Sequence, residues 1–219
     1  MALILCLETA TTNCSVALSE DGILLALKED NNNNYSHAEK LHVFIDEILK
    51  ENNLSVADLD AIAVSKGPGS YTGLRIGVST AKGLCFSLDI PLISIATLAS
   101  LAAQVEMEKG FVIPMLDARR MEVYSAVFDK ELHEIRETKA EVLDENSFVD
   151  YLEKNKTAFI GNGVEKFKAI CTHSNAKFIT GKLPSAREMC SLVEAKYKIS
   201  DTEDVAYFEP YYLKDFIAG

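Results

Sequence analysis

The chain has 219 residues, 48% hydrophobic and 25% charged, a composition typical of globular proteins and not of disordered ones. Its 33 acidic and 22 basic residues give a formal net charge of −11, which argues against a protein that binds nucleic acid by itself, because phosphate binding depends on Lys and Arg. The five cysteines form no Cys-x-x-Cys pair, the N-terminus lacks a basic signal segment, and no apolar stretch is long enough to span a membrane. These features exclude a secreted disulfide scaffold and predict a cytoplasmic protein.

Three short strands are predicted before residue 30. Apolar runs cover 2–7, 14–18 and 23–27, and polar turns with Thr, Asn, Asp and Gly separate them. Such spacing is typical of a hairpin meander. Glu8 closes the first strand, where a carboxylate is either a partner for a metal or water, or a solvated hairpin end.

A helix is predicted from Ser36 to about Asn52, after an Asn-rich loop. Ser36 and Glu39 have the spacing of a capping box. Apolar residues then recur at helical intervals, which predicts one apolar face. The positions of this face that we take as candidate partner contacts are Leu41, Ile45 and Ile48.

A strand, a glycine-rich loop and an apolar helix follow. The strand is predicted over 60–65, the loop over 67–73 and the helix over 74–88. A strand over 92–95 and a helix from Thr97 to about 107 complete the first half.

The second half repeats this alternation of strands and helices. Strands are predicted over 111–116, 122–128 and 158–160, and helices over about 145–154, after Asn162 and after Ser185. A meander followed by alternating helices and strands, seen twice, indicates an α/β fold of two related lobes. We place the lobes at 1–106 and 107–219.

The glycine loop has two interpretations. Gly67, Gly69 and Gly73 could present backbone N–H groups to an anion at a helix N-terminus, or they could simply make a sharp turn between strand and helix. The loop is not a Walker motif, and it is not a dinucleotide fingerprint, since Thr72 stands where a third glycine would be.

The helix after the loop is apolar on nearly every side. Gly73, Gly77, Ala81 and Leu84 follow one stripe, and Ile76 lies on another face. A helix of this kind is buried on more than one side. It is therefore either a central helix packed inside one domain or part of a subunit interface.

The motif residues resemble the TsaB family of bacterial threonylcarbamoyladenosine biosynthesis proteins. The resemblance rests on the glycine loop and following helix, on Glu8-Thr9, on the Asp-Ala-Arg segment and on the closing Pro-Tyr-Tyr-Leu-Lys. It implies a two-lobed, actin-like ATPase (ribonuclease-H-like) α/β fold with mixed sheets flanked by helices. The family-motif positions are Gly67, Pro68, Gly69, Ser70, Thr72, Arg75, Asp117 and Arg119.

The resemblance also implies a role in a complex. Proteins of this family serve as non-catalytic dimerisation subunits beside the catalytic subunit TsaD and the ATPase TsaE, which install threonylcarbamoyl on N6 of adenosine 37 in tRNAs reading ANN codons. It implies a homodimer when the partner is absent, tRNA contact only through the complex, and ATP or ADP, if any, at the partner interface. The predicted partner-binding residues are Leu41, Ile45, Ile48, Gly73, Ile76, Gly77, Ala81 and Leu84.

Two enzymatic alternatives remain, an actin-like ATPase or kinase and a glycoprotease-like metallopeptidase. The catalytic relative has a histidine pair where this chain has Thr97 and Leu101, which are poor metal ligands. Ala10 replaces the glycine of the phosphate hairpin, and no His or Lys lies near Ser70 to activate it. His37 is expected to be satisfied at a helix start, and His133 to be an isolated surface residue. We therefore expect no catalytic residue, metal or resident cofactor.

Overall fold

A computed structural model describes residues 1–31 and 37–214 and divides the chain into two compact units. The first comprises Met1–Ser100 and Pro184–Gly219, and the second comprises Leu101–Leu183. The predicted lobes, 1–106 and 107–219, differ from these units in two ways. The boundary lies between Ser100 and Leu101, and the segment Pro184–Gly219 returns to the first unit. The predicted cap at Ser36 lies outside the described residues.

The first unit contains a mixed five-stranded sheet. The strands are β1 (Leu3–Glu8), β2 (Cys14–Glu20), β3 (Ile23–Asp30), β4 (Ala61–Gly67) and β5 (Leu92–Ala96), in the order β3-β2-β1-β4-β5. The β1–β2 and β2–β3 pairs are antiparallel, whereas β1–β4 and β4–β5 are parallel. Alternate residues of β1 enter two different core clusters, one on each face of the sheet. Both faces are therefore covered.

Helices α1 (His37–Glu51) and α2 (Tyr71–Leu88) share one of these clusters. The apolar positions of α1 are spaced as predicted, and its buried side enters the core. Helix α2 begins at Tyr71, three residues before the predicted start, with the Ser70 hydroxyl accepting a hydrogen bond from the Gly73 N–H at 3.2 Å. Helix α3 (Thr97–Ala102) follows β5 and ends five residues before its predicted end.

The second unit repeats the topology of the first sheet. Its strands are β6 (Phe111–Asp117), β7 (Glu122–Phe128), β8 (Glu134–Val142), β9 (Thr157–Ile160) and β10 (Ala176–Ile179), in the order β10-β9-β6-β7-β8. The β6–β7 and β7–β8 pairs are antiparallel, and the β6–β9 and β9–β10 pairs are parallel. The shared topology confirms the predicted α/β fold with two related mixed sheets flanked by helices.

Two short helices accompany the second sheet, α4 (Val149–Leu152) and α5 (Val164–Lys168). The core of this unit centres on three aromatic rings in edge-to-face contact, with centroids 4.8–5.7 Å apart: Phe148, Phe159 and Phe167. Such packing adds to the free energy gained from burying the rings. The predicted helix over 145–154 is reduced to the four residues of α4.

Helix α6 (Met189–Lys198) covers the other face of the first sheet. Its predicted cap was Ser185, but the helix begins four residues later. Ser185 instead accepts a hydrogen bond from the Arg187 N–H at 3.3 Å. Four alanines beneath α6 let the helix lie close to the sheet: Ala2 just before β1, Ala17 on β2, and Ala61 and Ala63 on β4. No helix among the described residues is long and apolar enough to cross a membrane.

Candidate functional site

The carboxyl ends of three parallel strands, β1, β4 and β5, meet at one edge of the first sheet. Ligands of α/β proteins commonly bind at such an edge. It brings together Glu8 from β1, Ser65 from β4 and Thr97 after β5. The β1–β2 turn and the glycine loop also lie there, so this edge is the candidate site.

The glycine loop packs directly on the β1–β2 turn. A Cβ atom at Gly69 would lie 2.4 Å from the Ala10 carbonyl oxygen, and one at Gly73 would lie 2.1 Å from the Thr9 carbonyl oxygen. The Ser70 N–H donates to the Ala10 carbonyl at 2.7 Å. These two glycines therefore permit contact between backbone segments, and the Ser70 N–H is not available to an anion. The structure supports the interpretation of the loop as a turn.

The start of the loop packs on the C-terminal segment. Gly67 has φ +114°, a left-handed conformation that favours glycine, and a Cβ there would lie 2.7 Å from the Tyr211 carbonyl oxygen. The Tyr211 N–H donates to the Lys66 carbonyl at 2.7 Å. Pro68 follows Gly67 and is buried. The motif thus holds the β1–β2 turn on one side and the C-terminal segment on the other.

The small-residue stripe of α2 packs against the end of β1 within the chain. A Cβ atom at Gly77 would lie 2.3 Å from Thr9 Oγ1, and the Thr9 hydroxyl donates to the Gly73 carbonyl at 2.8 Å. Ala81 is fully buried in the core shared with α1. The stripe lets α2 lie close to the end of β1, and its assignment as an intermolecular contact stays a prediction.

The other predicted partner-binding residues are also mostly internal. Leu41, Ile45 and Ile48 are at most 6% exposed and belong to the core beneath α1, because the apolar face of an amphipathic helix packs on its own sheet. Ile76 and Leu84 are partly buried against the same core. The exposed apolar residues of these helices are different ones, Val43 at 49% and Phe86 at 84%.

Glu8 is enclosed at the centre of the site. It is fully buried, its Oε1 accepts a hydrogen bond from the Ala10 N–H at 2.6 Å, and its Oε2 has no hydrogen-bond partner among the described residues. Burial raises the pKa of this carboxyl to about 7, and nearby Glu188 contributes in the same direction. The interpretation as a solvated hairpin end is therefore wrong.

Hydroxyl groups occupy the ends of the two neighbouring strands. Ser65 Oγ and Thr97 Oγ1 lie 2.6 Å apart and both residues are buried. Neutral hydroxyl groups are weak ligands for a transition metal. Leu101, at the other histidine position of the catalytic relative, is a buried apolar residue of the second unit.

Two motif residues of α2 next to the glycine loop, Thr72 and Arg75, are exposed. The guanidinium of Arg75 lies 4.7 Å from the centroid of the Tyr71 ring. Tyr71 in turn lies 4.9 Å from the Tyr212 ring. Arg75 therefore helps to hold the C-terminal segment, a contact that no local sequence pattern indicates.

Asp117 and Arg119 form a tight turn in the second unit. The Asp117 carboxylate accepts hydrogen bonds from the Arg119 N–H at 2.6 Å and from the Lys166 ammonium at 2.9 Å. Arg119 has φ +70°. The Asp117 N–H donates to the Asn162 side chain at 2.9 Å, which joins the ends of β6 and β9. These motif residues stabilise a turn.

The histidines give one confirmed and one corrected prediction. His37 Nε2 is hydrogen-bonded to the Thr11 carbonyl at 2.7 Å in a buried position, so the ring is held at the helix start as expected. His133 is not isolated, because its Nδ1 lies 3.0 Å from Asp129, and Glu131 is close to both. The i, i+4 spacing of Asp129 and His133 in the sequence could have indicated this contact. The Asp129 carboxylate also accepts the N–H groups of both other residues, as in a polar turn.

The chain matches known proteins over nearly its whole length. The family model for TsaD, tRNA N6-adenosine threonylcarbamoyltransferase, matches residues 32–218. The tRNA threonylcarbamoyladenosine biosynthesis protein TsaB of Escherichia coli is 30% identical over 98% of this chain and 96% of that protein. The protein of the same name from Haemophilus influenzae is 32% identical over 97% and 93%.

A solved structure agrees with this result. YeaZ from Pseudomonas aeruginosa is 27% identical, covers 97% of this chain and 100% of its own, and superposes with a TM-score of 0.82. Sequence and fold therefore point to the same group of proteins. The chain belongs to the family of tRNA threonylcarbamoyladenosine biosynthesis proteins TsaB.

Proposed function

We propose that the chain is a non-catalytic subunit of the complex that installs threonylcarbamoyl on N6 of adenosine 37 in tRNAs reading ANN codons. Its family membership supports a role in threonylcarbamoyladenosine biosynthesis. In this proposal a TsaD-type transferase carries the chemistry and the ATPase TsaE assists it. The net charge of −11 fits a subunit that meets tRNA only through its partners.

The observation that carries the proposal is the closed contact between the glycine loop and the β1–β2 turn. A phosphate hairpin must leave N–H groups free for the anion and room for its oxygens. Here the Ser70 N–H bonds to the Ala10 carbonyl, and the Ala10 Cβ lies 2.7 Å from where a Cβ of Gly69 would be. An ATPase or kinase activity of this chain alone is disfavoured for that reason. Any nucleotide at the partner interface would depend on phosphate contacts from the partner.

A metallopeptidase activity lacks its chemical groups in the part of the chain described. Thr97 bonds to Ser65, and Ser70 caps helix α2 without an adjacent base. The Asp129, Glu131 and His133 group is largely exposed, and the hydrogen bonds within it form a turn. A supporting role in a complex therefore fits better than hydrolysis.

The outward faces of α1 and α2 are the proposed partner surface, both for TsaD and for a homodimer when TsaD is absent. Both helices cover the same face of the first sheet, and each exposes an apolar residue, Val43 on α1 and Phe86 on α2. Gly83 on α2 has no atom near its Cβ position, so a partner could approach the helix backbone there. Exposed aromatic residues of this kind are common centres of protein interfaces.

Substitution of Phe86 tests this surface. Phe86→Asp should weaken binding to the TsaD-type subunit by about tenfold or more, since burying an aspartate in an apolar interface costs about 1.4 kcal/mol or more. Titration calorimetry of the purified subunits measures the affinity. Val142→Asp is the matched control, because Val142 is 69% exposed on β8 of the second unit.

The control should bind as the wild type does. Equal binding by wild type and Phe86→Asp, or equal losses in both variants, would contradict the assignment of the surface to α2. Circular dichroism verifies that each variant is folded before binding is measured.

A further inference from the structure

A groove lies along residues 199–214, the described part of the first unit that follows helix α6. Its volume is about 470 Å³, which is within the range of pockets that bind small ligands. The lining consists of Lys66 at the end of β4 and, from the segment itself, of residues 203–204 and 207–211. All of these residues belong to the first unit, so one compact unit forms the whole groove.

Contacts to the sheet and to α2 hold the walls of the groove in place. The Glu203 N–H donates to the Leu92 carbonyl of β5 at 2.8 Å. The Lys82 ammonium of α2 donates to the carbonyls of Ala206 and Phe208 at 3.1 and 2.8 Å. A groove that is fixed before binding loses little conformational entropy when a ligand enters.

The groove carries an excess of negative charge. Residues 199–213 include four acidic and no basic residues. The described lining contributes three carboxylates, whereas Lys66 is its one basic side chain. Asp204 is fixed, because its carboxylate accepts the Ala206 N–H at 2.8 Å. Glu209 is exposed, and its carboxylate forms no hydrogen bond or ion pair within the part of the chain that the structure describes.

Two tyrosine rings line the same groove. Tyr207 is 83% and Tyr211 is 44% exposed. The face of an aromatic ring attracts a cation, and the first unit contains such a contact, since the Arg75 guanidinium lies 4.7 Å from the centroid of the Tyr71 ring. Exposed rings and a carboxylate without a partner among the described residues are therefore complementary to a planar cation.

We propose that the groove docks an arginine side chain of a protein partner. A guanidinium donates two parallel hydrogen bonds to a carboxylate and stacks on an aromatic face, whereas a lysine ammonium is a strongly hydrated point charge. Glu209 supplies the carboxylate and Tyr207 the ring. The net charge of −11 attracts a basic partner to the chain. This inference does not depend on the proposed function, because its test uses the chain alone.

Titration of the full-length protein with a short peptide tests the groove. The peptide has blocked ends and one arginine flanked by glycine and serine, and nuclear magnetic resonance follows the amide shifts of the isotope-labelled protein. We expect saturable shifts centred on residues 203–211. The matched peptide with citrulline, which has nearly the shape of arginine without its charge, should cause no such shifts. The peptide with lysine should bind several-fold more weakly.

Substitutions in the groove should change the affinity in both directions. Glu209→Gln and Tyr207→Ala should each weaken binding about two- to fivefold, the range expected for an exposed ion pair or cation–π contact. Both side chains are exposed, so the variants should fold. Lys66→Met should strengthen binding, because it removes a competing positive charge. Glu137→Gln is the matched control, since Glu137 is an exposed acidic residue of the second unit.

Several outcomes would overturn the proposal. They are the absence of saturable shifts at millimolar peptide, shifts equally large around Glu137, and equal binding of the citrulline or lysine peptide. Equal affinities of the wild type and of both Glu209→Gln and Tyr207→Ala would do the same. The comparison of peptides on the wild type decides even if a variant does not fold.

Discussion

At the scale of single residues, buried groups around the β1–β2 turn decide what the candidate site can do. Glu8 is fully enclosed and only one of its oxygens has a partner among the described residues. The desolvated carboxylate is costly, so the native state favours the protonated acid up to a pH of about 7. The unfolded chain releases the same proton near the ordinary value of 4.5.

This difference makes stability depend on pH in a defined direction. Because the native state holds the proton that the unfolded state has lost, the contribution of Glu8 is complete below pH 4.5 and falls as pH rises to about 7. Glu8→Gln removes the titration, so at pH 8 the variant should be more stable than the wild type by about 2–3 kcal/mol. At pH 4.5 the advantage should vanish. Urea unfolding at both pH values measures it, and a wild-type advantage that grows with pH would contradict the burial of the charge.

Two glycines of α2 test whether the small-residue stripe of this helix packs on Thr9. A methyl group at Gly77 would collide with Thr9 Oγ1, whereas one at Gly83 meets nothing within 4 Å. Gly77→Ala should therefore destabilise the protein by about 1–3 kcal/mol. Gly83→Ala should stabilise it by up to about 1 kcal/mol, because alanine favours the helix. Thermal unfolding compares the two variants, and equal effects would show that the stripe is not packed on Thr9.

At the scale of elements, residues 199–214, the described part of the chain after α6, are fastened to the first unit without forming a helix or a strand. The Glu203 N–H donates to the Leu92 carbonyl at 2.8 Å, and the Lys82 ammonium donates to the carbonyls of Ala206 and Phe208 at 3.1 and 2.8 Å. Phe208 packs on the core beneath α2. The segment therefore extends the first unit along α2.

Removal of the Lys82 ammonium tests this attachment. Lys82→Met keeps the length of the side chain but loses both hydrogen bonds, each worth about 1 kcal/mol. Hydrogen exchange at the Tyr211 amide, which bonds to the Lys66 carbonyl, should become several-fold faster. Lys50→Met is the control, since Lys50 pairs with Asp46 on the exposed side of α1. Unchanged exchange in Lys82→Met would mean that other contacts hold the segment.

Elements with clear periodicity could be predicted from the sequence, and others could not. Helix α1 and strands β1, β6 and β7 follow their apolar patterns closely. Strand β8 was missed, because its residues are mostly charged and the strand lies at a sheet edge with half-exposed sides. Strand β10, also at an edge, has only four residues. The edge strands β3 and β5 were predicted because they contain apolar runs, whereas β8 and β10 lack a clear alternation and local sequence does not reveal them.

Only part of the candidate site could be predicted, because local sequence does not show which distant residues come into contact. The glycine motif located the loop, but a stripe of small residues looks the same whether it faces its own chain or a partner. The deciding contacts, from Thr9 to Gly77 and from Tyr211 to Gly67, join residues distant in sequence. The burial of Glu8 likewise depends on neighbours from β4 and beyond. Such contacts become visible only when the chain is folded.

At the scale of the whole molecule, the chain forms the same α/β topology twice, and its own backbone fills the candidate site. Both units have the same strand order, which supports one architecture used twice. The β1–β2 turn and the glycine loop pack on each other, so the motif of this chain helps to hold the first unit together. In our proposal the outward faces of α1 and α2 bind the partner subunit.

The most direct measurement is tRNA modification by a complex reconstituted from purified subunits. Threonylcarbamoyladenosine is quantified by mass spectrometry of nucleosides, with this chain omitted, present, or replaced by Ser70→Ala or Phe86→Asp. We expect modification only when the chain is present, near wild-type levels with Ser70→Ala, whose hydroxyl only caps α2, and a loss with Phe86→Asp that parallels its loss of binding. Full modification without the chain, or a collapse with Ser70→Ala while the complex stays assembled, would contradict a non-catalytic role.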